Sequence, residues 1–142
     1  MRHRHRLPQL DAARPFLTDG GLETTLIFHR GLDLPTGTGD RDYLRALDDA
    51  HDAALPRARP DVAFYLAGAD PFEGDRLGRL ALTKAGLRAR DELVVERLRA
   101  AGAAVVVVLA GGYARDVADT VDINAATAAV VAAADARSAA AA

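Results

Sequence analysis

Two continuous apolar runs of strand length stand out along the chain. Asp61–Ala67 (DVAFYLA) and Ala103–Ala110 (AAVVVVLA) contain almost no polar residue, which is the pattern of strands buried on both faces of a parallel sheet. Around these runs the apolar residues recur at helical spacing. The alternation of strand and helix predicts an α/β layer with parallel strands and right-handed crossovers.

The first helix of this layer is expected to begin at Asp40, which would cap it, and to end near Pro56. Its apolar face is formed by Tyr43, Leu44, Leu47 and Leu55. Farther upstream, residues 16–31 (FLTDGGLETTLIFHRG) predict a short strand, a turn at Gly20-Gly21 and a short helix.

A second helix is predicted over Gly86–Ala101, with Gly102 placed to end it. Its arginines and acids are expected to face solvent, and its inward face carries Leu87, Val94, Leu98 and Ala101. An alanine-rich third helix is expected from Asp116 or Asp119 to about Ala136, and residues 138–142 (SAAAA) are expected to be a disordered tail.

Composition excludes several classes of function. With 142 residues the chain has room for one modest domain or a piece of a larger one. The absence of cysteine excludes a disulfide scaffold, a thiolate zinc site and a cysteine nucleophile. A net charge of -2 argues against nucleic acid as a partner. No apolar segment follows the basic start MRHRHR and no run is expected to span a membrane, so a cytoplasmic location is expected.

Two polar residues follow the predicted strands at corresponding places. Asp70 comes three residues after the first strand and Tyr113 three residues after the second. Because the carboxyl ends of parallel strands meet at one edge, about 4.8 Å apart if the strands are neighbours, both side chains are expected to face one pocket. The alternatives are structural: Asp70 forms an Asx turn while Asp75 caps the next few residues, and Tyr113 packs its ring over the sheet edge.

The histidines give a weaker signal. Asp49 and His51 have the Asp-x-His spacing of many metal sites, but they fall inside a predicted helix. Positions two apart on a helix point roughly 200° from each other, so a solvated helix surface is the preferred interpretation. His3 and His5 lie in a predicted loose tail, and His29 has no visible partner.

Three segments resemble the C-terminal part of histone deacetylase family enzymes, nearest to the small class IV-like bacterial members. They are LPTGTGDRDYLRAL, RPDVAFYLAGADPFEGDRLGRLALTKAGLRARD and VVVVLAGGYARDVADT, and the whole match covers about residues 34–131. The resemblance implies a partial three-layer αβα fold, arginase/deacetylase-like, with parallel strands and an incomplete sheet. It assigns residues 34–137 to the C-terminal part of such a domain.

The resemblance also implies roles for individual residues in the hydrolysis of acetyl-lysine or another acyl-amine. Asp70 matches a zinc ligand, and Tyr113 matches the tyrosine that stabilises the oxyanion formed from the acyl carbonyl. Leu77 matches an apolar residue of the acyl-lysine channel, and Gly111 and Gly112 match the loop beneath it.

Other parts of that family's site are missing from the sequence. The family takes two further zinc ligands from an Asp-x-His loop and its acid and base from a His-His pair, and neither motif is found upstream of the matched region. A catalytic zinc normally needs three protein ligands and an open position. The chain alone is therefore expected neither to hold zinc at a defined site nor to hydrolyse acetyl-lysine.

The segment FLTDGGLETTLIFHRGLDLP, residues 16–35, instead resembles the N-terminus of homocysteine S-methyltransferase family proteins. That family binds zinc through cysteines, so methyl transfer is not expected in a chain without them. Residues 1–33 are accordingly assigned to a tail and a methyltransferase-like strand and helix. This juxtaposition suggests a truncated or recombined reading frame, or an artificial fusion.

Three hypotheses remain open. The first is a catalytically incomplete fragment of a zinc-dependent deacetylase that retains Asp70 and Tyr113. The second is a noncatalytic α/β remnant or interaction module that self-associates through an uncovered sheet edge. The third is a methyltransferase fragment.

Overall fold

The computed structural model of the chain describes residues 34–140. Along these residues the elements run α1 (Asp40–Ala58), β1 (Val62–Gly68), α2 (Lys84–Ala100), β2 (Ala104–Ala110) and α3 (Val117–Ala140). The alternation of helices with parallel strands confirms the predicted α/β class. The strand and helix expected within residues 16–31 lie outside the described residues.

The two strands form a parallel pair whose register runs from Val62 opposite Ala104 to Gly68 opposite Ala110. Both strands therefore end at the same edge of the sheet. The loop after β1 carries Asp70, and the loop after β2 carries Tyr113, so the predicted common edge is present.

The apolar runs predicted strands buried on both faces, but in the structure only one face is covered. Helix α2 packs on the face that carries Tyr65. The opposite face is 38 to 46% exposed at four large side chains, Phe64, Leu66, Val106 and Val108. Within residues 34–140 the sheet has only these two strands and nothing covers that face. An apolar run therefore identified each strand correctly but did not predict how much of it is buried.

Helix α1 differs from the prediction at both ends. Its N-cap residue is Gly39, whereas the Asp40 carboxylate accepts hydrogen bonds from the backbone N–H of Thr83 at 2.8 Å and from its hydroxyl at 2.7 Å. Asp40 thus joins the start of α1 to the start of α2 instead of capping its own helix. The helix also continues past Pro56 to Ala58, because a proline in the last turn removes only one backbone hydrogen bond.

Helix α2 begins earlier than predicted because Thr83 caps it, its hydroxyl accepting the backbone N–H of Gly86 at 3.0 Å. The predicted stop at Gly102 is confirmed: its φ of 85° is a conformation that favours glycine. Ala101, expected to point inward, is exposed. The expectation that all charged residues face solvent is wrong for Arg90 and Asp91, which are 4% and 1% exposed.

The main core lies directly beneath the loop that carries Asp70. Its buried members come from that loop, from α2 and from α3, and they are Ala69, Phe72, Leu82, Leu87 and Ile123. A second cluster joins α2 to α3 through Val95, Val130 and Ala134. The core therefore supports the carboxyl edge of the sheet.

Helix α3 extends to Ala140, beyond the predicted end, since alanine is the best helix former. The boundary expected at residue 138 thus falls inside the helix, and residues 141–142 lie outside the described range. By length and composition alone, Val117–Arg137, with a mean hydropathy of 1.3, could cross a membrane, so the expectation of no such run is wrong. Within the described residues, α3 packs against α2 through Val130 and Ala134.

Candidate functional site

Asp70 lies in the first turn after β1, with its carboxylate against two glycines. The Ala69 N–H donates to the Ala110 carbonyl at 3.2 Å, which continues the pairing of the strands for one residue. A methyl group on Gly68 would lie 2.3 Å from Asp70 Oδ1, and one on Gly111 would lie 2.5 Å from it. The carboxylate therefore occupies the space that side chains at these two strand ends would fill.

The Asx turn considered for Asp70 is not formed. The Phe72 N–H, which such a turn would use, donates to the Ala69 carbonyl at 3.1 Å instead. Among residues 34–140 no donor binds the Asp70 carboxylate, and the residue is exposed. Its oxygens are thus free of partners within the described part of the chain.

Tyr113 is fixed by its backbone while its side chain stays in solvent. Its N–H donates to Asp75 Oδ2, and its carbonyl accepts the Arg76 N–H at 3.1 Å and the Arg76 Nε–H at 3.3 Å. The residue is 58% exposed, so its ring is not buried against the sheet edge. The structure thus holds the start of the tyrosine side chain in place and leaves its hydroxyl accessible.

Asp75 is the residue that joins the two loops. Its Oδ1 accepts the N–H groups of Leu77 and Gly78, each at 2.8 Å, so the expected capping role is present, while Oδ2 binds Tyr113. Burial works to raise the pKa of this carboxyl, but the N–H donors of Gly78, Tyr113 and Leu77 outweigh it and lower the pKa. The link to Tyr113 could not be read from the sequence, since the two residues are far apart along the chain.

The remaining predicted site residues lie around this pair of loops. Leu77 is 71% exposed and free to contact a ligand. Gly111 and Gly112 have φ values of 55° and 115°, which favour glycine. A methyl group on Gly112 would lie 2.9 Å from the Ala69 side chain, so the loop after β2 packs closely on the loop after β1.

Beneath these loops lies a buried ionic network that sequence reasoning missed. Arg90 pairs with Asp91 at 2.8 Å, and Arg90 Nη1 donates to the Gly68 carbonyl at 2.6 Å. Asp91 also accepts the hydroxyl groups of Tyr65 at 2.5 Å and Thr127 at 2.6 Å. Helical spacing could have found the pair, because positions 90 and 91 follow the inward-facing position 87 by three and four residues.

The donor set of the described residues does not fit a catalytic zinc without further ligands. Such an ion takes three protein ligands, and within residues 34–140 no three His, Asp or Glu side chains converge on one point. His51 and Asp49 lie on α1, where the His51 Nδ1 is 2.8 Å from the Leu47 carbonyl oxygen. Asp70 is therefore a candidate for one ligand among several.

An open groove of about 700 Å³ lies at the opposite end of the sheet. It is lined by the end of α1, the start of β1 and the end of α2, among them His51, Asp61 and Arg97. None of the predicted site residues reaches it. The groove therefore lies apart from the predicted site residues at the carboxyl edge.

The comparisons with known proteins agree with the predicted family. The histone deacetylase domain family matches residues 14–131. Histone deacetylase 2 of Arabidopsis thaliana is 30% identical over 122 residues, covering 83% of this chain and 32% of its own length. Histone deacetylase 8 of the same plant is 35% identical over 68 residues, covering 48% of the chain and 18% of its own length. An uncharacterized protein of Picosynechococcus sp. is 44% identical over 90 residues, covering 63% of this chain and 30% of its own length.

The chain thus spans about a third or less of the length of these relatives. The matched range includes all of residues 16–35 and so begins upstream of the start expected at residue 34, while the resemblance of residues 16–35 to methyltransferases stays a prediction. Since the family match covers well over half of the chain, the chain belongs to the histone deacetylase domain family.

Proposed function

We propose that this chain contributes one part of the site of a zinc-dependent deacetylase that acts on acetyl-lysine. Asp70 is the metal ligand of this part, and Tyr113 donates its hydroxyl hydrogen bond to the acyl oxyanion. The observation that carries the proposal is the position of the Asp70 carboxylate, which lies against Gly68 and Gly111 at the edge where the Tyr113 loop leaves the sheet.

The chemistry of the two side chains suits these roles. A carboxylate without a hydrogen-bond donor among the described residues keeps its lone pairs for a cation. A phenol held by a fixed backbone and exposed to solvent can donate a hydrogen bond to a developing negative charge. Stabilising the oxyanion in this way is usually the largest single contribution to the rate enhancement of acyl transfer. Gly111 and Gly112 belong to the loop beside Asp70, and Leu77 is exposed on the other loop; these residues would contact the acyl-lysine chain.

The second part of the proposal is that these residues do not suffice alone. One carboxylate leaves a catalytic zinc short of two ligands, and the described residues provide no histidine pair for proton transfer. The missing groups would come from the remaining part of a deacetylase domain, on the same or another polypeptide. Zinc content and acetate release from an acetyl-lysine peptide test this: the chain alone should give neither stoichiometric zinc nor turnover.

A chimera tests the roles of the two residues directly. Residues 34–137 would replace the matching segment of Arabidopsis histone deacetylase 2, which is 30% identical to this chain. In an active chimera, Asp70→Ala should lose both zinc and turnover, whereas Tyr113→Phe should keep zinc and lose turnover by roughly 100-fold or more. Asp49→Ala, which removes an exposed carboxylate on α1, is the matched control and should change neither. Retention of zinc and activity by Asp70→Ala would contradict the proposal.

A second candidate function, a noncatalytic interaction module, is favoured by the uncovered sheet face. Phe64, Leu66, Val106 and Val108 form one apolar surface across both strands, and either strand can accept a further neighbour. If a second copy binds there, sedimentation should show association that rises with concentration and is abolished by Val108→Lys. Val121→Lys, at an exposed valine of α3, is the control. A monomer at all concentrations would remove this candidate.

A further inference from the structure

Arg90 is a buried cation directly beneath the strand end that precedes Asp70. Its guanidinium is 4% exposed, lies 5.8 Å from the centre of the Tyr65 ring, and donates through Nη1 to the Gly68 carbonyl at 2.6 Å. Burial works to lower the pKa of Arg90, but the neighbouring Tyr65 and Asp91 side chains outweigh it, so the pKa is raised. The Gly68 carbonyl therefore has a permanently charged donor, the stronger kind of hydrogen bond.

Asp91 fixes the direction in which Arg90 points. It accepts from Arg90 Nε at 2.9 Å on one oxygen and from the Thr127 hydroxyl at 2.6 Å on the other. Tyr65 adds a third donor from β1. The guanidinium is thus oriented by contacts to β1 and, through Asp91, to α3.

A buried ion pair of this kind is seldom the most stabilising choice for a core. Replacing such a pair with apolar side chains of similar volume is often neutral or stabilising, because desolvation offsets the attraction between the charges. What an ion pair provides that an apolar pair does not is a directed bond to a specific acceptor. Here that acceptor is the carbonyl of Gly68, and Gly68 is the residue on which an added methyl group would meet the Asp70 carboxylate.

We propose that Arg90 is a positioning residue that fixes the end of β1 and thereby the place of the Asp70 carboxylate between Gly68 and Gly111. The bond from Arg90 to Gly68 holds one side of that position. Its consequence for metal binding rests on the proposed function of Asp70, whereas the positioning itself does not.

The test compares two ways of disrupting the network in the full chain. The double variant Arg90→Met with Asp91→Asn removes both charges and the donor to Gly68. Its amide oxygen can still accept one of the Tyr65 and Thr127 hydroxyl groups, and its NH₂ group can donate to the other. Thr127→Val removes one bond to Asp91 on the side away from Gly68. The readouts are the thermal midpoint and the NMR signals of the Asp70 carboxyl carbon and the Gly111 amide.

Positioning predicts that the double variant shifts both NMR signals, while Thr127→Val lowers the thermal midpoint and leaves them in place. Equal signal changes in the two variants, or none in the double variant, would show a merely structural role and overturn the proposal.

If the double variant does not fold, a measurement on the wild-type chain takes its place. A through-bond coupling between Arg90 Nη1 and the Gly68 carbonyl carbon, with slow exchange of the guanidinium protons, supports the proposal, and its absence overturns it.

The chimera adds a readout that depends on the function. There the double variant should weaken zinc binding by roughly 10- to 100-fold, the usual effect of losing a group that orients a metal ligand, and Thr127→Val should not. If Asp70→Ala keeps zinc in the chimera, the proposed function fails while the NMR comparison still decides the positioning of Asp70.

Discussion

The Asp75 carboxylate accepts the backbone N–H of Tyr113 and so binds the loop after β2 to the loop after β1. Residues 38 positions apart are joined by this contact, and the bridge between Asp75 and Ala114 extends it. The candidate site is therefore built from two loops that are fixed to each other, with Asp70 on one and Tyr113 on the other.

Asp75→Asn should weaken this connection although asparagine and aspartate have nearly the same size. The asparagine oxygen can still accept from Leu77 and Gly78, but its NH₂ group would face the Tyr113 N–H, and two donors do not bond. We expect a loss of about 1–3 kcal/mol in the free energy of unfolding, measured with urea, and faster exchange of the Tyr113 amide. Glu73→Gln, exposed in the same loop, should change the stability by less than about 0.5 kcal/mol. Equal effects of the two changes would refute a special role for Asp75.

The same carboxyl should make stability depend on acid pH. The pKa of Asp75 is lowered in the folded chain, because N–H donors outweigh the burial that would raise it. Its contribution is thus present above the unfolded pKa of about 3.9 and is lost as pH falls through the lower folded value. The stability difference between wild type and Asp75→Asn should therefore shrink from pH 7 to pH 3 in urea titrations. A constant difference would mean that the charge of Asp75 does not matter.

Two glycines allow a matched test of the space around Asp70. Gly111 and Gly102 both have positive φ, so alanine at either position carries backbone strain of roughly 1–2 kcal/mol. Only at Gly111 would the methyl group meet Asp70, whereas at Gly102 nothing lies within 4 Å. We expect similar losses of stability, since a carboxylate can swing away, but only Gly111→Ala should shift the Asp70 carboxyl signal. The same shift from Gly102→Ala would show that the signal change does not come from contact between the methyl group and Asp70.

Lys84, the only lysine of the chain, joins the first turn of α2 to the start of α3. Its ammonium pairs with Asp119 at 2.7 Å and with Asp122 at 2.6 Å, and these hydrogen bonds raise its pKa. The contribution is present below the unfolded pKa of about 10.4 and is lost as pH rises through the folded value.

Lys84→Met should therefore lower the thermal midpoint slightly at pH 7, and the difference from wild type should diminish in strong alkali and in 1 M salt. Arg45→Met is the control, since Arg45 pairs with Asp42 inside α1 and joins no two elements. A deficit that is equal in low and high salt would contradict the role of charge.

Much of the fold could be predicted from local pattern. The runs around Phe64 and Val106 identified two strands, and Gly102 identified a helix end, because side-chain periodicity and glycine conformation act over a few residues. Asp70 and Tyr113 could be placed at one edge because parallel strands have a common polarity. Their chemical roles came from the family resemblance, and they stay predictions.

Contacts between distant residues decided the rest. The sequence predicts that Asp40 caps a helix and that Arg90 faces solvent, but in the structure their side chains bind Thr83 and Gly68. The sequence also predicts two strands buried on both faces, whereas one face of the described sheet is exposed. By itself, the sequence determined which segments form strands and helices and which residues follow the strand ends. Only the tertiary structure decided which charges are buried and which loops are joined, because hydrogen-bond partners and burial depend on neighbours in space.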